Sequence, residues 1–360
     1  MSGPHILMTL DAAGGVWRYA MDLAKAMKEH TFVFLGFGPP PSVQQRAEAE
    51  AIGELCWSEL PLDWMVPDPV ALQDVPDEVS RTAARYTVDV IHLNLPSQAA
   101  GLRTERPVLI VSHSCVATWF RGVKGTDLPP NWAWQGNLNR MGLLRADVVL
   151  APSASHAALM TGAYGPIPIT VVPNATLAHD RQATDVPKVI ASGRWWDEGK
   201  NGATLDAAAA RMDWPLTMLG PLKGPTGQGF RPQHATAPGN LPHGDAMAMM
   251  QDAGIFVSPS LYEPFGLAVA EAARCAIPLM LADIPTFREL WDGAAIFFPA
   301  RDSTALADAV NELSADAELR RRLGREALLR SRKFAPEVQA QAMTAIYARL
   351  AHQPQTIDRR

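Results

Sequence analysis

Two glutamates, Glu263 and Glu271, lie eight positions apart in the stretch SPSLYEPFGLAVAEAARC (258–275). Pro264 follows the first of them and fits the first turn of a helix, where its missing N–H is no loss. The apolar residues after it have helical character. The sequence therefore predicts a helix over 265–275 that starts around Pro264. Glu263 would stand just before its N-terminus and Glu271 within it.

Free backbone amides at a helix N-terminus form an anion-binding site, typically for phosphate, and a glycine there allows the ligand to approach closely. The amides here would be those of Phe265, Gly266 and Leu267. Eight positions along a helix span about 12 Å, whereas the paired carboxylates of glycosidases lie about 5–9.5 Å apart. Glu263 and Glu271 are therefore better spaced to hold two ends of an extended ligand with an anionic middle. The structural alternative is one capping acid and one solvent-facing acid.

A second candidate anion site is SGRWWDEGKN (192–201), between a predicted strand and a predicted helix. Ligands of open parallel sheets bind at the carboxyl ends of the strands, where this segment lies. Arg194 can donate two hydrogen bonds to a phosphate, and Lys200 adds a point charge. The alternative is a solvated loop in which Asp197 and Glu198 neutralise both cations.

A third candidate is DAAGGVW (11–17), which follows the first predicted strand. Gly14 and Gly15 permit a tight turn and exposed amides at the start of the next helix. The segment lacks the G-x-G-x-x-G spacing of dinucleotide sites, which disfavours a nicotinamide oxidoreductase. An ordinary glycine turn is the alternative.

His113 follows the apolar run PVLIVS (107–112), again at a predicted carboxyl end. Serines flank it, but the G-x-S-x-G elbow of a serine hydrolase is missing from the sequence. The histidines lack metal-ligand spacing, and no D-x-D pair occurs, so the sequence predicts no metal. The alternative for His113 is a structural histidine.

The totals exclude several classes of protein. The chain has 360 residues, 48% of them hydrophobic, and a net charge of −5. This length suggests about two domains, and a chain with neither half basic is not expected to bind nucleic acid. The three cysteines are far apart and suit a reducing cytoplasm. The sequence predicts no signal peptide and no membrane-spanning run.

Apolar runs of strand length alternate with helical segments, which predicts parallel sheets covered by helices on both faces. The first set of predicted strands covers 5–10, 31–37, 88–95, 107–112, 146–153 and 168–174. The second set covers 189–193, 216–220, 255–260, 277–283 and 294–299. Helices besides 265–275 are predicted over 15–30, 153–164, 201–212, 244–253, 303–314, 316–333 and 336–350.

Two segments interrupt this pattern. Residues 175–188 are polar and lack periodicity, so they are interpreted as a domain linker. Residues 221–243 are rich in Pro and Gly and are predicted to be mostly loop. A loop of this length in a compact domain is usually functional or mobile.

These segments, in this order, resemble the family-four retaining glycosyltransferases of the GT-B fold. The strongest part is AGIFVSPSLYEPFGLAVAEA (253–272). It is supported by GGV near the start, DVIHLN (89–94), the histidine that follows a predicted strand, VVPN (171–174), SGR and GKN within 192–201, and FREL (287–290). The resemblance implies an α/β fold of two Rossmann-like parallel-sheet domains that face each other across a cleft. It places an acceptor-binding domain at 1–175, a nucleotide-sugar-binding domain at 176–335, and a helix at 336–352 that packs back on the first domain.

The resemblance also implies a role for each candidate residue. Glu263 would bind the donor sugar, Glu271 the ribose hydroxyls, and the amides of Phe265, Gly266 and Leu267 the sugar and diphosphate. Arg194 and Lys200 would neutralise the leaving diphosphate in place of a metal, Gly14 and Gly15 would approach the phosphates, and His113 would sit beside the transferred sugar. Ala175 stands where relatives usually carry Gly, and 221–243 where relatives place a strand and base contacts.

The implied reaction moves a hexose from a nucleotide-diphosphate sugar to a hydroxyl acceptor, with retention and without a cofactor. UDP-glucose-like and GDP-mannose-like donors both stay open, as do sugar, small-molecule and lipid-linked acceptors and a peripheral membrane contact. Two alternatives share this architecture: a non-hydrolysing sugar-nucleotide epimerase, and an idle nucleotide-sugar-binding protein. A cytoplasmic location is expected.

Overall fold

Two parallel sheets organise the chain, and the computed structural model describes residues 3–180 and 186–352. One compact unit comprises the described residues up to Ala175 together with those from Pro336 onward. The other unit runs from Thr176 to Ala335. Residues 181–185 of the predicted linker lie outside the described residues. The predicted fold class, two Rossmann-like α/β units with parallel sheets, is confirmed.

The first unit is built on a seven-stranded parallel sheet. Its strands are β1 (His5–Asp11), β2 (Thr31–Phe37), β3 (Glu54–Trp57), β4 (Val90–Leu93), β5 (Val108–Val111), β6 (Val148–Ala151) and β7 (Thr170–Val171). They lie in the order β3-β2-β1-β4-β5-β6-β7. The chain therefore turns from one half of the sheet to the other between β1 and β4. Ligands of open α/β sheets bind beyond the carboxyl ends of the strands at such a switch point.

The second unit repeats this plan with six parallel strands. They are β8 (Val189–Ser192), β9 (Leu216–Leu219), β10 (Thr236–Gly239), β11 (Ile255–Ser258), β12 (Leu279–Ala282) and β13 (Ala295–Phe298). Their order is β10-β9-β8-β11-β12-β13, so the switch point lies between β8 and β11. All four residues of β9, β11 and β12 are buried, because helices cover both faces of the sheet.

Helices follow most of the strands. Those of the first unit are α1 (Gly15–Ala26), α2 (Val43–Glu50), α3 (Val75–Arg85), α4 (Val116–Trp119), α5 (Ala133–Arg145) and α6 (Ala154–Tyr164). Those of the second are α7 (Gly202–Ala209), α8 (His243–Gln251), α9 (Leu267–Arg274), α10 (Pro285–Trp291), α11 (Ser303–Ala315) and α12 (Ala317–Ser331). The last helix, α13 (Pro336–Ala351), returns to the first unit.

Helix α13 joins the core of the first unit. Its residues Met343 and Tyr347 are fully buried and pack in one cluster with Ile6 and Met8 of β1. Burying side chains of this size contributes about 1.5–3 kcal/mol each. Helix α13 therefore stabilises the first unit, although it follows the whole of the second unit in the sequence.

The Pro- and Gly-rich segment 221–243 is mostly without regular structure, as predicted, but it is anchored. Lys223 and Gly229 form an antiparallel bridge, and β10 pairs with β9 at the edge of the sheet. The Asp206 carboxylate accepts hydrogen bonds from three successive amides at 2.8–3.0 Å, those of Gln233, His234 and Ala235. One strand, β10, therefore lies inside the segment that was predicted to be mostly loop.

Candidate functional site

The loops that follow β8 and β11 lie side by side because these two strands are parallel neighbours. The amide of Leu261 donates to the carbonyl of Gly199 at 2.9 Å. Asn201 Nδ2 donates to the carbonyls of Pro259 at 3.0 Å and Ala300 at 2.6 Å. Asn201 adopts a left-handed backbone conformation, with φ 55°, which ends the short turn Glu198–Lys200. Two segments that are distant in sequence are thereby fixed to each other.

Lys200 and Glu263 meet at this junction. Lys200 Nζ lies 2.5 Å from Glu263 Oε2, and the two side chains are 18% and 15% exposed. Ser260 Oγ donates to the same carboxylate oxygen at 3.3 Å. Lys200 therefore pairs with Glu263. The alternative of a solvated loop had paired Lys200 with Asp197 or Glu198 of its own loop. A cation and a carboxylate at a switch point can bind a phosphate and a hydroxyl side by side.

Arg194 lies in the same loop, half-buried. Its Nη2 is 3.3 Å from Asp197 Oδ2, and its guanidinium lies 5.4 Å from the ring centroid of Trp196. Trp195 is buried and donates its Nε1–H to the carbonyl of Leu219 at 2.8 Å, so packing is its role. For Arg194 the structure therefore matches the alternative stated above, in which an acid of the same loop, Asp197, neutralises the cation.

The helix that carries Glu271 begins later than predicted. Helix α9 starts at Leu267, not around Pro264, because Gly266 before it adopts a left-handed conformation with φ 90°. A Cβ on Gly266 would lie 3.2–3.3 Å from the side chains of Phe287, Val269 and Glu263. Glycine therefore suits this position both for its backbone conformation and for the limited space. The amide of Val269 donates to the carbonyl of Gly266 at 3.0 Å. The two amides before it in α9, those of Leu267 and Ala268, have no acceptor within the helix, because the carbonyls they would need precede it. Phe265 itself is buried.

Glu271 is buried on α9 and is not the solvent-facing acid of the structural alternative. Its Oε1 lies 2.9 Å from His243 Nε2. His243 is the first residue of α8 and is half exposed. No sequence pattern indicated a role for His243, since it lies 28 positions from Glu271 and shares no motif with it.

In the first unit, the glycine turn after β1 leads directly into a helix. Gly14 is the N-cap of α1 in an extended conformation, and Gly15 is the first helical residue and exposed. Asp11 Oδ1 accepts the amide of Ala13 at 2.9 Å and so shapes this turn. The glycine turn therefore lies at the switch point of the first sheet, with Gly15 exposed.

His113, just beyond β5, is half-buried at the same edge of the first sheet. Its ring packs edge-on against Tyr19, with 4.3 Å between centroids, and its Nε2 lies 2.9 Å from Asn94 Oδ1. Burial, followed by the like charges of His92 and His156, lowers the pKa of His113 to about 3. The ring is therefore neutral near pH 7, which suits hydrogen bonding rather than charge.

The structure thus gathers the candidates into two groups. The second-sheet edge is the group Arg194, Lys200, Glu263, Gly266 and Glu271, beyond β8 and β11. The first-sheet edge is the group Gly14, Gly15 and His113, beyond β1 and β5, together with Asn94 beyond β4, for which the sequence predicted no role. In residues 3–180 and 186–352, no three His, Cys, Asp or Glu side chains are placed to hold a metal ion.

Comparison with known families matches both units. The family Glycosyltransferase Family 4 matches residues 13–176, and the family Glycosyl transferases group 1 matches residues 230–330. The second match contains Glu263, Gly266 and Glu271, and the first contains His113. Among the described residues, no helix has both the length and the apolar character to cross a bilayer.

Curated relatives match over short stretches only. An O-antigen biosynthesis glycosyltransferase of Escherichia coli is 33% identical over 63 residues, which are 18% of each chain. An alpha-maltose-1-phosphate synthase of Mycolicibacterium smegmatis is 34% identical over 92 residues, 23% of this chain and 24% of that protein. The chain therefore spans about a fifth to a quarter of the length of these relatives.

Solved structures match over nearly the whole chain. A sucrose-phosphate synthase from Thermosynechococcus elongatus has a TM-score of 0.78 at 18% identity, with 96% of this chain and 99% of that chain covered. Anabaena HepE, solved with UDP-glucose, has a TM-score of 0.74 at 17% identity, covering 96% and 100%. At sequence identities of 17–18%, this structural similarity shows the fold alone. The comparisons therefore show similarity in sequence to two glycosyltransferase families, one for each unit, and similarity in fold to GT-B proteins.

Proposed function

We propose that this chain is a retaining glycosyltransferase that moves a hexose from a nucleotide-diphosphate sugar to a hydroxyl acceptor without a metal. The observation that carries the proposal is the Lys200–Glu263 pair at the switch point of the second sheet. It stands beside the start of α9, where Gly266 allows close approach to first-turn amides. Cation, carboxylate and amides together suit a diphosphate joined to a hydroxyl-rich sugar.

The reaction breaks the bond between the anomeric carbon and the diphosphate oxygen and forms a bond from that carbon to the acceptor oxygen. The acceptor attacks from the face that the diphosphate leaves, and its proton passes to the departing phosphate oxygen. Lys200 and Arg194 stabilise the negative charge that develops on the leaving group, and the amides of α9 add their dipoles. Glu263 orients the sugar hydroxyls, and we assign His113 a contact with the transferred sugar.

The donor's nucleoside is assigned to Glu271. A buried carboxylate at hydrogen-bond distance from His243 is already desolvated, so two ribose hydroxyls can replace the imidazole as its donors. Anabaena HepE was solved with UDP and with UDP-glucose. UDP-glucose is therefore the first donor to test, with GDP-mannose as the second.

The test is a thermal-shift screen of the full chain with UDP, GDP, ADP, TDP and their sugar conjugates. A ligand at 100 times its dissociation constant stabilises the folded state by about 2.7 kcal/mol. We expect one nucleotide series to raise the melting temperature and the Lys200→Ala variant to lose most of that shift. Lys333→Ala, an exposed lysine of the same unit, is the matched control and should keep it.

Product analysis then separates the three candidate functions. A transferase releases the nucleoside diphosphate and joins the sugar to an added acceptor. An epimerase changes the configuration of the donor sugar without an acceptor, and an idle binding protein gives the thermal shift without any product. No shift with any of the nucleotides would overturn the proposal.

A further inference from the structure

A chain of buried hydrogen bonds connects His113 to the C-terminal helix. Asn94, just beyond β4, stands at its centre. Its Oδ1 lies 2.9 Å from His113 Nε2 and 3.1 Å from His92 Nε2. His92 Nδ1 in turn lies 2.6 Å from the hydroxyl of Tyr347 on α13. Asn94, His92 and Tyr347 are almost fully buried, so water does not compete for these bonds.

The direction of each hydrogen bond follows from one backbone carbonyl. Asn94 Nδ2 donates to the carbonyl oxygen of Thr9 at 2.6 Å, and a carbonyl can only accept. The other amide atom of Asn94 is therefore its oxygen, which also only accepts. Both imidazoles must then donate their Nε2–H to that oxygen.

Two more bonds hold Asn94 in this orientation. Its backbone N–H donates to Thr9 Oγ1 at 2.9 Å, and Thr9 Oγ1 donates to Gln98 Oε1 at 2.7 Å. A flip of the Asn94 amide would set its oxygen against the Thr9 carbonyl and its NH₂ against two imidazole N–H groups. The orientation is thus determined by partners on β1 and on the segment after β4.

The tautomer of His92 is selected from both sides. A neutral imidazole with its proton on Nε2 presents Nδ1 as an acceptor, and the Tyr347 hydroxyl donates to it. Burial lowers the pKa of His92 to about 3, so the ring is neutral near pH 7. The hydroxyl of α13 therefore supports the same proton position that Asn94 requires.

The consequence for His113 is that its Nδ1 carries a lone pair and no proton. Within the described residues, Nδ1 of His113 makes no hydrogen bond, and Tyr19 holds the ring by an edge contact. We propose that Asn94, His92 and Tyr347 are positioning residues that keep the proton of His113 on Nε2, so that Nδ1 accepts a hydrogen bond from a substrate hydroxyl. The identity of that hydroxyl as one of the transferred sugar rests on the function proposed above.

The primary test is NMR of the ligand-free full chain with ¹⁵N-labelled histidine, which reports which ring nitrogen carries the proton. Signals are assigned with His113→Gln and His92→Gln. We expect Nε2–H in both rings of the wild type. Asn94→Ala should convert His113 into a mixture of the two tautomers, and Tyr347→Phe should weaken the preference of His92.

The matched control is Tyr164→Phe, which removes another buried hydroxyl of the same unit, one that contacts Cys115 Sγ at 2.9 Å. It should leave both histidine signals unchanged. A proton on Nδ1 of His113 in the wild type would overturn the proposal, as would an unchanged His113 signal in a folded Asn94→Ala variant. Tyr347→Phe keeps the buried ring, so it stays informative if Asn94→Ala does not fold.

The substrate part of the proposal is tested with UDP-glucose against UDP, and with GDP-mannose against GDP. We expect the sugar conjugate, but not the free diphosphate, to move the His113 Nδ1 signal in the direction of an accepted hydrogen bond. A conjugate that stabilises the chain but leaves this signal unmoved overturns the substrate assignment. If no nucleotide binds, the proposed function fails, whereas the wild-type and Asn94→Ala spectra still decide the tautomer.

Discussion

The two sheet edges are built alike in topology and differ in electrostatics. The second-sheet edge holds two close ion pairs, Lys200 with Glu263 and Arg194 with Asp197. The first-sheet edge holds neutral rings and amides in a buried network around Asn94. Its histidines are neutral because burial lowers their pKa values to about 3.

Because of this difference, one architecture can serve two tasks. Ion pairs that are partly exposed can exchange partners, because water and a charged ligand can replace either member. A buried neutral network cannot exchange partners without leaving a polar group unsatisfied, so it holds a geometry instead. We therefore assign charge binding to the second-sheet edge and orientation to the first-sheet edge.

The largest effect is expected at the second-sheet edge. Glu263→Gln keeps the size of the side chain but removes the charge that pairs with Lys200 and the acceptor strength needed for sugar hydroxyls. We expect the transfer rate to fall by about 10²–10³-fold, the range for loss of one preorganised polar group. Steady-state kinetics with the donor found by thermal shift measure this, with exposed Glu289→Gln as the control. Full activity in Glu263→Gln would remove its assigned role.

Acid should weaken the first unit before the second. The folded-state pKa values of buried His92 and His156 are lowered to about 3 and about 4, below an unfolded value near 6.5. Below pH 6.5 the unfolded chain therefore binds protons that the folded chain does not, and stability is lost until the folded pKa values are reached. At pH 5 the loss is at most about 2 kcal/mol per histidine.

Hydrogen exchange at pH 7 and pH 5, corrected for intrinsic rates, measures this acid effect separately for each unit. Glu48 does not contribute between pH 7 and pH 5. Burial would raise the pKa of its carboxyl group, but pairing with Lys25 and Arg18 lowers that pKa to about 2. Its stabilisation is lost only as the pH falls from about 4.5 toward 2. Equal loss of protection in both units would contradict the contrast between the two edges.

A charge swap at the second-sheet edge is expected to have a moderate effect. Lys200→Glu alone sets two carboxylates together at a site about 15–18% exposed, and we expect a loss of about 1–2 kcal/mol of unfolding free energy. Adding Glu263→Lys should restore most of the stability by re-forming the pair. Transfer activity should stay lost, because the cation then stands on the wrong loop. Normal transfer activity in the Lys200→Glu/Glu263→Lys variant would show that the ion pair has a structural role only.

The smallest effect is expected at Arg194. Its pair with Asp197 is 35% and 12% exposed, so Arg194→Ala should change the unfolding free energy by only about 0–0.5 kcal/mol. The donor KM should still rise, since a diphosphate would lose one of its cations. Urea unfolding and donor titration measure the two quantities on one sample. A large loss of stability with an unchanged KM would instead assign Arg194 to packing.

Much of the fold was accessible from sequence because its signals are local. The buried central strands read as continuous apolar runs, and nearly all were predicted within two or three residues. The edge strands β3 and β10 were missed, since β3 is only partly buried and β10 contains Pro and Gly. Edge strands tolerate such residues because one side of the ladder is unpaired.

The start of α9 shows where local reasoning fails. Proline after Glu263 indicated a first turn, but the left-handed Gly266, packed between Phe287 and Val269, moves the start to Leu267. Similarly, Asn94 stood inside a motif that supported the resemblance without receiving a role. Its importance depends on Thr9, His113 and His92, which surround it only after the sheet forms.

Local sequence patterns were enough to predict the parallel α/β class, the two-part organisation and the residue types at the strand ends, because periodicity and loop chemistry are encoded over short stretches. The pairing of Lys200 with Glu263, of Glu271 with His243 and of Tyr347 with His92 became visible only in the folded chain. Those pairs are separated by 63, 28 and 255 positions. Contacts at such separations depend on strand order and helix docking, which no local pattern specifies.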